Sequence, residues 1–224
     1  MHAWPIHAAS LVDPATHSSA LMELVDLRLT KPVVEYLIES VVETVDFAIG
    51  RPSTPRGRTP SRYLSSFTTF VHHVLTRAEV TPATVLAALV YISRARPHLS
   101  IGIEEWALER VFLGALIVAS KYTNDSTLRN SHWALCTGVF GKGDVGRIER
   151  EFLEVLDWEL AIKEADLLAH HSTLMTIAFP LQHHVPVDVV SQPPPKGRFN
   201  SIIRAFPIPI PVRHHAHHPR VCVA

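Results

Sequence analysis

Apolar residues recur at helical spacing along most of the chain. From Lys31 to Ile49, Val34, Leu37, Ile38, Val41, Val42 and Val45 fall on one helix face. Pro32 suits the first turn of that helix and Gly50 suits its end. A block from about residue 59 to residue 162 then predicts five helices. The first takes Thr59 as cap and Pro60 as first residue, with Leu64, Phe67, Phe70, Val71, Val74 and Leu75 as its stripe. The second repeats that opening with Thr81 and Pro82 and carries Val85, Leu86, Leu89, Val90 and Ile92. The third, from about Ile103 to Lys121, is apolar nearly all round between Val111 and Val118, which places it in the middle of a bundle. A short fourth helix near Ser131 to Thr137 is anchored by Trp133. The fifth starts at Asp144 as cap and shows Val145, Ile148, Phe152, Leu153, Leu156 and Leu160. A further helix, Glu164 to Ala178, is expected to dock on the bundle. No pair of strands with a turn signal occurs, so the predicted fold is all-α.

This pattern divides the chain. Residues 1–30 read as a poorly ordered lead-in, 31–180 as the domain and 181–224 as a proline-rich, extended tail. The stretch Arg51 to Pro60 reads as a basic, proline-rich linker. With 224 residues and 47% apolar content, one domain with a real core plus tails is expected. The 21 basic residues balance the 21 acidic ones, which argues against a polybasic nucleic-acid surface. No apolar run approaches the roughly 18 residues of a membrane span, and the start Met1-His2-Ala3-Trp4-Pro5 does not resemble a signal peptide. No membrane partner is expected. Cys136 and Cys222 lie far apart and form no CxxC, as suits a reducing compartment, nucleus and/or cytoplasm.

Candidate chemistry is sparse. No GxSxG, HExxH, P-loop or dinucleotide glycine pattern is present, and neither an enzyme nor a cofactor is indicated. His214-His215-Ala216-His217-His218 is either a solvated tract or a weak metal chelator, the former being the ordinary reading. The pairs His72-His73 and His170-His171 lie on predicted helices and point different ways. Thr59-Pro60-Ser61-Arg62 fits a proline-directed phosphorylation site as well as a helix cap. Asn124 suits a turn closed by its side chain, whereas Asp125 fits either a turn or a contact. On spacing alone, Lys121 is a cation at a helix C-terminus. Glu149 is a helix-face carboxylate, and Trp133 and Trp158 are core or rim aromatics.

Taken together the motifs say more. Ala119-Ser120-Lys121-Tyr122-Thr123-Asn124-Asp125-Ser126 is followed by Asn130-Ser131-His132-Trp133-Ala134, then Gly138-Val139-Phe140, then Arg147-Ile148-Glu149-Arg150-Glu151-Phe152-Leu153. In order and separation they resemble the cyclins, and more narrowly the fungal phosphate-system (PHO/PCL-type) single-box cyclins, over roughly residues 31–180. The resemblance implies an all-α, five-helix cyclin box with an additional N-terminal helix and a C-terminal flanking helix. It implies a regulatory subunit that binds and activates a cyclin-dependent protein kinase and contributes to the choice of protein substrates. Lys121 and Glu149 would be polar anchors to backbone groups near the kinase's regulatory helix, with Tyr122, Leu153, Trp158 and Leu160 supplying apolar contact. Glu149 and Leu153, four apart, share a helix face. The alternatives are a cyclin-fold transcription or nucleic-acid-binding module and a scaffold that does not activate a kinase. One departure is visible: many cell-cycle cyclins open the box with a Met-Arg-x-Ile-Leu and Trp docking patch. This chain has Tyr63-Leu64-Ser65-Ser66-Phe67-Thr68-Thr69-Phe70 there.

Overall fold

The computed structural model describes residues 17–51, 62–102 and 105–179, all within one unit of the chain, residues 1–185. Their regular elements are helices: α1 (Ser19–Val25), α2 (Lys31–Ile49), α3 (Arg62–Arg77), α4 (Pro82–Ala95), α5 (Ala107–Thr123), α6 (Asn130–Thr137), α7 (Lys142–Val155) and α8 (Glu164–Ala178). The all-α reading holds. The proposed start of α3 at Thr59 and Pro60, the basic linker and the His- and Pro-rich tail lie outside the described residues.

Helix α5 is the centre. It packs against α2, α3, α4 and α7, and Leu113, Ala115, Leu116 and Ile117 are fully buried. Surrounding helices turn one apolar stripe inward: Val33, Leu37 and Val41 from α2, Phe67, Val71 and Val74 from α3, Val85 and Leu89 from α4. Where local chemistry defines an end, that end falls as expected. Gly50 closes α2 in the left-handed conformation, φ 77°, its N–H bonded to Asp46 and Phe47 carbonyls. The Thr81 hydroxyl accepts from the Thr84 N–H at the start of α4. Asn124 closes α5, its side-chain amide donating to the Ser120 carbonyl at 2.9 Å.

Four boundaries differ from expectation. Residues 19–25, within the expected unordered lead-in, form α1. It is held from afar: Leu24 and Leu27 are buried, the Ser18 hydroxyl donates to Glu164, and Glu23 pairs with His171 of α8. Helix α5 begins at Ala107, not near Ile103, because Trp106 adopts a left-handed conformation (φ 61°) just before it. Helix α7 begins at Lys142, and Asp144 is its third residue. The Asp144 carboxylate reaches back to the Gly141 N–H at 3.3 Å, so the expected cap acts from inside the first turn. The same helix stops at Val155, since Asp157 and Trp158 are both left-handed (φ 50° and 58°), and Leu160 lies beyond it.

Two side-chain polar atoms are buried without a hydrogen-bond partner among the described residues, Glu109 Oε2 and Trp133 Nε1. Glu109, in the first turn of α5, is 3% exposed. Its Oε2 has no hydrogen-bond partner among the described residues. Burial pushes its carboxyl above the usual carboxylate range, against the lowering effect of a backbone hydrogen bond. A folded-state value above the unfolded one means the native state binds the proton more tightly. The native state therefore gains stability as pH falls through the folded value and loses it as pH rises. Glu109→Leu removes the unpaired carboxylate at similar volume. It should stabilise the fold by about 1–3 kcal/mol at neutral pH, a gain that shrinks as pH falls through the raised folded-state value toward the ordinary carboxylate range. Thermal melts of both proteins between pH 4 and 8 check this; a constant difference across that range would reject it.

Candidate functional site

The end of α5, the start of α6 and the middle of α7 meet where the sequence motifs converge. Lys121 lies in the last turn of α5, where a cation is favoured by exposed carbonyls. Asn130 is the first residue of α6, and Glu149 lies in the middle of α7. Close approach of α5 and α7 makes the meeting possible. A Cβ on Gly114 would stand 2.8 Å from the Phe152 Cβ, so only glycine lets the two helices sit at this separation.

The polar groups form a closed triangle. The Lys121 ammonium lies 2.5 Å from Glu149 Oε1 and donates to Asn130 Oδ1 at 3.3 Å, while Asn130 Nδ2 donates to Glu149 Oε2 at 2.9 Å. Lys121's side chain is 37% exposed and Glu149's 14%, so the cation stands at the rim and the carboxylate sits deeper. One carboxamide thus orients both charges. The motif Asn130-Ser131-His132-Trp133 was part of the resemblance, but no role attached to Asn130, because asparagine at a helix start reads as an ordinary terminal residue.

The apolar candidates are placed differently from one another. Tyr122 is 47% exposed, its ring edge-on to Tyr91 at 6.1 Å. The Tyr91 hydroxyl donates to the Leu160 carbonyl at 2.9 Å, so Tyr91, buried itself, supports both Tyr122 and Leu160. Burial and the neighbouring Tyr122 hold the Tyr91 phenol above its ordinary range. Arg94 adds a second clamp, donating to the Glu159 and Ala161 carbonyls and pairing with Asp166. This fixes the loop that turns Trp158 outward, 64% exposed. The Leu153 carbonyl accepts the Trp158 N–H at 3.0 Å. Leu153 itself is only 9% exposed and belongs mainly to the core. The structure therefore joins Lys121 to Glu149 and Tyr122 to Leu160, and it leaves Leu153 beneath the surface.

Other candidates separate. His170 and His171 face different partners: His170 lies between the Tyr36 hydroxyl at 3.0 Å and the Ser93 hydroxyl at 3.4 Å, and His171 faces Glu23. Burial lowers the His170 pKa. Among the described residues, no group of three or more His, Cys, Asp or Glu is arranged to hold a metal, and no helix is long and apolar enough to cross a membrane.

Replacing Asn130 with alanine should test the carboxamide. The loss in fold stability should be about 0.5–1.5 kcal/mol, the usual net value of such hydrogen bonds. Asn130→Asp should be worse at neutral pH, because it sets a second carboxylate against Glu149. Denaturant titration of the two variants checks the order.

A central buried helix, flanked by four others, delivers a lysine to a glutamate two helices later. Residues 52–161 match the cyclin N-terminal domain family, and the chain belongs to the cyclins. Within that family it is similar to the PHO85 type. It is 29% identical over 159 residues to PHO85 cyclin-1 of Saccharomyces cerevisiae, covering 68% of this chain and 56% of that protein. It is 31% identical over 160 residues to PHO85 cyclin-2 of the same yeast, covering 66% and 48%. It is 37% identical over 103 residues to PHO85 cyclin-9, covering 44% and 34%. The chain thus spans about half the length of the first two relatives.

Proposed function

We propose that this chain is a regulatory subunit that binds and activates a cyclin-dependent protein kinase and contributes to substrate choice, without catalytic chemistry of its own. The observation that carries the proposal is the Lys121–Asn130–Glu149 triangle, set at the junction of α5, α6 and α7 inside a cyclin N-terminal domain. Two opposite charges, one raised and one recessed, offer a donor and an acceptor to a partner's helix end. Tyr122, Trp158 and Leu160 supply apolar contact around them, and Leu153 forms part of the floor. In kinases a lysine–glutamate pair across the nucleotide site forms only when the regulatory helix is swung in. A subunit that binds this state better than the swung-out one shifts the population toward activity by its difference in affinity. The names of the yeast relatives indicate a kinase of the PHO85 kind as the partner.

The test is reconstitution. Purified full-length chain is added to such a kinase, and peptide phosphorylation is measured with and without it. Phosphorylation that rises with added chain and saturates with the binding isotherm supports the proposal. Saturating binding with unchanged phosphorylation would reduce the chain to a scaffold, and absence of binding would remove the proposal.

A further inference from the structure

Helix α8 packs on α1, α2 and α4, and its buried residues are His170, Leu174 and Met175. Leu174 and Met175 anchor the second half of the helix in the apolar core. In the first half Leu167 and Leu168 are only partly buried, so His170 is the deepest contact there. Its ring sits between α2 and α4, with Nδ1 3.0 Å from the Tyr36 hydroxyl and Nε2 3.4 Å from the Ser93 hydroxyl. One turn earlier, on the same face of α8, Asp166 pairs with Arg94, the neighbour of Ser93 on α4. Arg94 also donates to the Glu159 and Ala161 carbonyls, and Tyr91 donates to the Leu160 carbonyl. The seam that holds His170 therefore continues into the clamp on the Trp158–Leu160 loop.

A neutral imidazole suits this position. One nitrogen accepts a hydrogen bond from a hydroxyl and the other donates to the second, and either hydroxyl can take either role. An imidazolium would donate to both, so it would keep its hydrogen bonds, but it would be stripped of water. A cleft of about 230 Å³ opens beside the ring and carries the charged groups that face it, Glu39 and Glu43 of α2 and Arg96 of α4. Arg96 lies over the Phe47 ring at 4.9 Å. On α8 itself Asp166 is held by Arg94, and His171 turns to Glu23 of α1. The two rim carboxylates favour a cation and Arg96 opposes one. Burial decides, and it lowers the His170 pKa from the ordinary histidine value.

We propose that His170 is an acid-labile pin, whose protonation parts the first half of α8 from α2 and α4 and loosens the Arg94–Asp166 clamp on the Trp158–Leu160 loop. A folded-state value below the unfolded one means that the native state binds the proton less tightly. The stability contributed by the pin is whole above the ordinary histidine range. It is lost as pH falls through that range toward the lower folded value. Once the seam parts, the cleft admits water and the imidazolium is hydrated beside Glu39 and Glu43. Leu174 and Met175 keep the second half of α8 in place, so the change is a local opening and not global unfolding. The consequence for a partner rests on the kinase reading above: a loop released by acid is less preorganised and binds more weakly. The opening itself does not depend on that reading.

Hydrogen exchange of the full chain tests the pin, with rates expressed as protection relative to the unfolded chain so that two pH values can be compared. In the parent, protection across residues 157–170 should fall at least fivefold between pH 7.5 and pH 5.5, while α5 stays protected. His170→Gln, neutral at both values, should hold its protection within twofold, and His171→Gln should respond like the parent. Glu109 is present in all three proteins, so its opposite response to pH cancels. An equal fall in His170→Gln, or no fall in the parent, would overturn the proposal. Should His170→Gln fail to fold, the parent's own ring decides by nuclear magnetic resonance. A fall in protection that tracks a His170 midpoint below about 6.5, the ordinary value, supports the pin, and a midpoint at or above it overturns the pin. Kinase titrations at the same two pH values separate the pin from the proposed function. Weaker binding at pH 5.5 by the parent alone supports the link to the loop, and equal weakening of parent and His170→Gln removes that link. A kinase bound at neither pH counts against the proposed function, while the exchange result still decides the pin.

Discussion

Glu149→Ala should lower affinity for the proposed kinase partner by about 30-fold to several-thousand-fold while leaving the fold nearly as stable. The two effects separate because Glu149 does different things in the two states. In the free chain it pairs with Lys121, which is more than a third exposed, and it accepts one hydrogen bond from Asn130. Ion pairs open to solvent contribute about 0–1 kcal/mol, so the melting temperature should move by only a few degrees. At the proposed interface the same carboxylate would be stripped of water, and truncating one member of a buried, hydrogen-bonded charge contact costs about 2–5 kcal/mol. At 1.4 kcal/mol per decade this gives the stated range. The double exchange Lys121→Glu with Glu149→Lys is more incisive. It preserves the attraction within the chain and inverts both charges presented to a partner. Its melting curve should match the parent's, and its binding, followed by calorimetric titration, should be lost. A double exchange that binds and activates like the parent would mean that the interface lies elsewhere.

How far this site was legible in the sequence depends on how local each part is. The ends of α2 and α4 could be read because single residues set them: Gly50 in a left-handed cap and Thr81 with Pro82 at a helix start. Helix α1 could not. Seven residues are too few to hold a helix by propensity, and its supports, Glu164 and His171, lie more than 140 residues away. The start of α7 was displaced because an aspartate bonded to a backbone N–H serves equally as cap or as third residue, and spacing does not tell them apart. In the site, Lys121 and Glu149 gained meaning only through the ordered motifs. Periodicity alone left one as a helix-end cation and the other as a surface carboxylate. Their pairing depends on the α5–α7 crossing at Gly114 and Phe152, a contact between distant segments that no local pattern encodes. Asn130 went unassigned for the same reason: its partners come from two other helices.

Trp133→Ala should be among the most damaging single substitutions in the domain. Trp133 is 1% exposed, on a two-turn helix packed between α3 and α7. Truncating a buried tryptophan costs about 3–5 kcal/mol, a large share of the 5–15 kcal/mol that holds an ordinary domain together. For a chain of this size that is a fall in melting temperature of roughly 6–20 °C. Trp133→Phe should be much milder, for a reason specific to this site. The indole Nε1 is buried with no partner among the described residues, so phenylalanine removes an unpaired donor while keeping most of the ring volume. The lost packing is then offset in part by about 1–3 kcal/mol of relieved desolvation. The functional consequence follows through α6, whose first residue is Asn130. Alanine at 133 loosens the helix that orients Lys121 and Glu149, so affinity for the kinase should fall even below the melting transition, whereas phenylalanine should leave it close to the parent. Calorimetric melts of the two variants, with kinase titrations at 15 °C, separate the effects. If phenylalanine destabilises the fold as much as alanine, the indole ring's full shape governs the site and the orphan N–H carries no penalty.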